Sequence, residues 1–154
     1  MPTPTISSGA CPCGGASYAT CCGPYIAGAA LPPTAEALMR SRYTAYTQRD
    51  EAYLRATWHP STRPRDAIVD PDEKLRWLGL EIKSALRLRQ RKAELAHHPD
   101  SDRDSDRNTV EFVARFKVGG RAHRLHETSR FIREPDPEIG GQVRWFYLDG
   151  TFPE

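Results

Sequence analysis

Long apolar runs are missing from this chain. No stretch approaches the roughly 20 residues that a membrane-crossing helix needs, so no membrane span is expected. One-sided charge is missing too. The 154 residues carry 22 Lys and Arg against 20 Asp and Glu, a net charge of +2, whereas a general polyanion binder presents a one-sided basic surface. Met1 to Ala10 has neither a basic side chain nor an apolar core, so it does not read as a secretory signal, and nothing hydrophobic precedes Cys11 to suggest a lipid anchor. The expected compartment is therefore the cytoplasm, where thiols stay reduced. The chain also lacks a phosphate-cradling glycine loop and the Gly-x-Ser-x-Gly of a serine hydrolase. His126-Glu127 is followed by no second histidine and sits in a strand-like pattern, so it is no zinc-protease signature.

What is present is concentrated at one end. All four cysteines fall between residues 11 and 22, as Cys11-x-Cys13 and Cys21-Cys22 with seven residues between the pairs. Such a set is either a metal clip or a redox site. Gly14, Gly15 and Gly23 sit where amides turn toward sulfur and where positive φ is affordable. Four thiolates at about 2.3 Å suit tetrahedral zinc, with iron as the alternative metal. The redox reading stays open, although a Cys21–Cys22 disulfide is strained and Cys11–Cys13 scarcely less so. Reduced surroundings favour the metal. A closed four-thiolate site leaves no position for substrate or activated water, so the expected role is structural.

Taken in order, residues 1–10 form a tail rich in Pro, Thr and Ser, residues 11–27 a cysteine knuckle, and residues 28–154 one domain with a polar insertion near 90–108. Thr34 caps a helix with Glu36 in its first turn, and Ala35, Met39, Tyr43 and Tyr46 repeat as an apolar stripe. Asp50 caps a second, short helix running toward Trp58. From Trp77 the period falls to two. Leu78, Leu80, Ile82, Leu86 and Leu88 mark a strand long enough to need a bend or bulge. Val110 to Val118 forms a second strand, Gly119-Gly120 a hairpin turn, and Arg121 to about Arg133 a third strand with Leu125, Glu127, Ser129 and Phe131 on one face. A loop over Pro135 to Gly141 leads to a last strand marked by Val143, Trp145 and Tyr147 and ended by Asp149-Gly150. Helices followed by four antiparallel strands predict an α+β fold. Glu81, Lys83, Arg115 and Lys117 are assigned to the outer sheet face, where so many charges argue against a large dry dimer interface.

Cys-Pro-Cys-Gly followed by Tyr18 and Cys21-Cys22-Gly23 resembles the SEC-C metal-binding motif, known from the C-terminus of the preprotein translocase ATPase SecA. With Cys22-Gly23-Pro24-Tyr25, the run Pro33 to Tyr46, Thr57-Trp58-His59-Pro60-Ser61-Thr62-Arg63-Pro64, His126-Glu127-x-Ser129-x-Phe131 and Trp145-x-Tyr147-x-Asp149-Gly150, most of the chain is similar to the YchJ family. The resemblance implies a nuclear transport factor 2-like cone, a curved sheet wrapped on helices, behind an N-terminal zinc knuckle. That superfamily holds ligands in the mouth of its cone, in enzymes such as ketosteroid isomerase and in binding modules alike. The similar tail of SecA docks a chaperone.

For such a pocket the candidates are Arg40, Tyr43, Trp58, His59, Glu127, Trp145 and Asp149. Glu127 is the preferred acid/base because it shares a face with Leu125 and Phe131; a partly buried Arg40–Glu127 ion pair is the structural alternative. The metal candidates are Cys11, Cys13, Cys21 and Cys22. The leading expectation is a binding or adaptor protein, not an enzyme, that docks a protein partner through its knuckle or a small ligand in the cone. A small-molecule enzyme is the alternative. A nucleic-acid module using Arg63, Arg65, Lys74, Arg76 and Arg121 ranks third on the near-neutral charge.

Overall fold

Two caps start the helical half of the molecule. The Thr34 hydroxyl accepts the Ala37 N–H at 3.0 Å and the Asp50 carboxylate accepts the Tyr53 N–H at 3.0 Å. The structure, a computed structural model, describes residues 10–69, 74–83 and 106–151. A 3₁₀ turn at Tyr18–Thr20 precedes α1 (Gly23–Ile26), α2 (Ala35–Gln48) and α3 (Glu51–Ala56). The strands follow as β1 (Leu75–Ile82), β2 (Arg107–Val118), β3 (Arg121–Asp136) and β4 (Gln142–Thr151).

The four strands form one antiparallel sheet in sequence order. Gly119 and Gly120, at φ 57° and 86°, make the expected tight turn between β2 and β3. The register shifts between Trp77 and Gly79, where the sequence calls for an irregularity, and again between Arg130 and Phe131. The expected continuation of β1 to Leu88, the tail at 1–9 and the insertion through residue 105 lie outside the described residues. Arg107 and Asn108, read as part of that insertion, belong to β2. The last strand runs through Asp149-Gly150 to Thr151.

β3 also runs past Pro135, where a loop is expected. The reason is geometric. Arg133 sends its N–H to Asp106 on the β2 side; Pro135 shares that parity, and its missing N–H falls beyond the start of β2, so no ladder bond to β2 is lost there.

One face of the sheet packs on α2. Ala35, Leu38, Met39 and Tyr43 meet Ile82, Val110, Phe112, Ala114, Phe131 and Trp145 in the main core. Cys11, Cys13 and Cys22 belong to that same cluster. The cysteine segment is thus built into the domain. A second cluster joins Ala45, Tyr53 and Leu54, with Ser41 Oγ 2.6 Å from Tyr53 Oη. Among the described residues no helix is long and apolar enough to cross a membrane.

Candidate functional site

α2 is buried on more than its apolar stripe: Ser41, Arg42 and Thr44 are buried with it. One side of the helix meets the cysteines and the other lines a cavity.

On the cysteine side all four thiols are free, and their Sγ atoms lie within 4.8 Å of one another. Cys13 and Cys21 are 3.5 Å apart, Cys21 and Cys22 4.0 Å. A tetrahedron with bonds of about 2.3 Å has edges of about 3.8 Å, so the donor set fits a closed metal site. The Cys22 thiol, hydrogen-bonded to Cys13, brings the Cys13 thiol down to about 5 against the effect of burial, with the Gly15 backbone assisting. Burial and then Cys13 push Cys21 up to about 11, and the Cys13 bond followed by burial raises Cys22. A cation bound here would displace the remaining thiol protons, since thiolates are the metal-binding form.

The surroundings hold this geometry. Cys11 N–H donates to Gly15 O at 3.1 Å and Gly14 N–H to Cys11 O at 2.9 Å. Gly15 is obligatory, because a Cβ there would stand 2.6 Å from Cys21 Sγ. From α2, Thr44 Oγ1 approaches Cys11 Sγ to 3.7 Å, and Arg40 donates through Nη1 to Cys13 O at 3.0 Å.

On the other side a cavity of about 200 Å³ opens between α2 and the inner sheet face. Met39, Trp77, Phe112, Ala114 and Leu125 make its apolar walls; Arg42, Tyr43, Tyr46, Glu127, Ser129 and Tyr147 supply its polar groups. Glu127 Oε2 accepts from Ser129 Oγ at 2.6 Å and from Tyr147 Oη at 3.1 Å. Arg42 lies over the rings of Tyr147 and Trp58, 4.5 and 5.1 Å from their centroids. Burial, followed by the nearby Glu127, raises the Tyr147 phenol, and burial pushes Tyr43 up to about 12. Both phenols therefore stay protonated at neutral pH.

Of the seven pocket candidates, Tyr43 and Glu127 line this cavity. Arg40 turns instead to Glu36 and the cysteine loop, so the Arg40–Glu127 pair given as the structural alternative does not form. Trp58 stacks edge-on behind Tyr147 and gives its indole N–H to Thr62. His59 bridges Ser61 and Glu134. Trp145 is buried in the core and donates to Pro33 O. Asp149 takes a two-pronged bond from Arg130 on an exposed face. Arg42, the cation that does line the cavity, is absent from the candidate set; its spacing of three from Met39 and four from Tyr46 places it on the same stripe, which is the signal that identifies it.

Residues 34–150 match the family model described as YchJ, middle NTF2-like domain. The chain belongs to the YchJ family. A UPF0225 protein of Ralstonia nicotianae, RSc0270, is 51% identical, the match covering 97% of this chain and 95% of that one. A UPF0225 protein of Cupriavidus metallidurans is also 51% identical, over 94% and 89% of the two chains. Among solved structures, a SEC-C motif containing protein from Psychrobacter arcticus superposes with a TM-score of 0.68 at 26% identity, covering 97% of this chain and 85% of that one. RPA3114 from Rhodopseudomonas palustris, also a SEC-C motif containing protein, gives 0.61 at 32% identity over 94% and 99%. The YchJ chain is therefore an NTF2-like α+β domain with a SEC-C-type, metal-binding cysteine cluster at its N-terminal end.

Proposed function

We propose that this protein is a cytoplasmic ligand-binding module whose zinc knuckle is a structural staple and whose working site is the cavity behind α2. The observation that carries the reading is the cavity itself. It has about 200 Å³ of space with apolar walls and two buried charged side chains, Arg42 and Glu127, that line it. Ligand sites are characteristically apolar clefts with a few convergent polar groups.

Burial raises the tyrosine phenols of the cavity and keeps them protonated, so they face a guest as hydrogen-bond donors. The knuckle is given a structural role because Cys13 and Cys22 are fully buried and Cys11 nearly so. Zinc is the metal that four protein thiolates without an open position suit best.

The test is ligand-observed NMR with a mixture of single-ring fragments, on wild type and on Ala114→Phe, which fills the cavity from β2. Fragments that bind the wild type and are lost in the filled variant support the reading. A wild-type protein that binds none of them, or binding unchanged by the filling residue, contradicts it.

A further inference from the structure

Arg42 is 2% exposed, yet its hydrogen bonds do not use it up. A guanidinium presents five N–H donors and no acceptor. Nη1 donates to Leu54 O at 2.9 Å and Thr57 Oγ1 at 2.7 Å. The Tyr46 hydroxyl also interacts with the guanidinium. At least part of the Nε and Nη2 edge therefore has no acceptor among the described residues, although Arg42 lines the cavity. Its two flanking rings, Trp58 and Tyr147, hold the plane in place.

Glu127 is under-used in the complementary sense. At 8% exposure it is nearly as buried, and both of its described donors, Ser129 and Tyr147, go to Oε2. Oε1 receives no hydrogen bond from the described residues. One cavity thus holds a buried cation with spare donors and a buried carboxyl with a spare acceptor.

The charge balance decides what fits. An anion answers Arg42 but meets Glu127, a cation answers Glu127 but meets Arg42, and a purely apolar guest leaves both edges buried without partners. A neutral group that offers an acceptor and a donor together answers both. The space sets the size, since a cavity of about 150 Å³ takes benzene and this one, at about 200 Å³, takes one ring with a small substituent.

We infer that the ligand is a small neutral amide-type molecule, a carbonyl and an N–H side by side on a compact apolar body, with the carbonyl on Arg42 and the N–H on Glu127 Oε1. This rests on the ligand-module reading above.

The experiment is calorimetric or NMR titration of the full-length, metal-loaded protein with three probes of one shape: benzamide, benzoate and toluene. Benzamide binds at least about tenfold tighter than either of the others, the ratio expected when a buried polar group is left unpaired. Glu127→Gln removes the charge that opposes an anion, so the benzamide-to-benzoate ratio falls in that variant. Should it fail to fold, the wild-type series still decides. Benzoate or toluene matching benzamide in the wild type overturns the amide assignment and leaves the ligand module standing. Binding of none of the three at millimolar concentration overturns both.

Discussion

Thr44 Oγ1 lies 3.7 Å from Cys11 Sγ, a contact between the middle of α2 and the first ligand of the cysteine cluster. Two residues earlier on the same helix, Arg42 lines the cavity. Metal cluster and cavity thus share α2 as a wall, and what loosens the first is expected to reach the second.

Serine at Cys22 and serine at Cys21 both remove a metal ligand, but they differ in burial. Cys22 is fully buried and Cys21 half-buried. Each variant is expected to lose its bound metal by elemental analysis. Cys22→Ser also leaves a hydroxyl inside the core, so its Tm falls further than that of Cys21→Ser.

Neighbouring glycines in the cysteine loop separate two physical effects. Gly15→Ala puts a methyl 2.6 Å from Cys21 Sγ and lowers metal affinity in a chelator competition. Gly14 sits at φ 101° with its nearest non-local atom, Leu80 O, at 4.0 Å. Gly14→Ala costs about 1 kcal/mol in backbone strain and leaves metal affinity nearly unchanged.

Gly150 is held to glycine by Glu127. A Cβ there would stand 2.6 Å from the Glu127 carboxyl carbon and closer still to Oε2. Gly150→Ala displaces the carboxyl from Ser129 and Tyr147 and destabilises the fold by about 1–3 kcal/mol, the usual range for overpacking. Chemical denaturation measures the loss, and weakened fragment binding accompanies it.

Glu51 supplies an acid-labile tie. The Ile68 and Val69 N–H groups, followed by Arg55, lower its carboxyl from 4.5 to about 2. Because the folded value is the depressed one, its stabilising effect is present above about 4.5 and is lost as pH falls toward 2. Amide exchange at Ile68 and Val69, corrected for intrinsic rate, accelerates across that window in the wild type. In Glu51→Gln the acid-dependent acceleration disappears.

Much of this architecture is legible one segment at a time. The Thr34 and Asp50 caps, the alternation through Val110–Val118 and Leu125–Phe131, the Gly119-Gly120 turn and the four clustered cysteines are local patterns, and each predicts its element. Partner choice across the fold is not local. Arg40 and Arg42 are both arginines on one helix, and only the packing of α2 shows that the first faces the cysteine loop and the second the cavity. Asp149 meets Arg130 through the β3–β4 register, and His59 reaches Glu134 from the segment after α3, pairings that no spacing within either segment encodes. The strand beyond Pro135 likewise depends on where β2 begins.

Cys11, Cys13 and Cys22 sit in the domain core, so a metal held there is expected to hold the helix that walls the cavity. Hydrogen–deuterium exchange on metal-loaded and chelator-stripped protein tests it most directly. Stripping the metal is expected to release protection in Ala35–Gln48 together with residues 10–27, and fragment binding is expected to weaken in parallel. Faster exchange confined to residues 10–27, with α2 and fragment binding untouched, would contradict it.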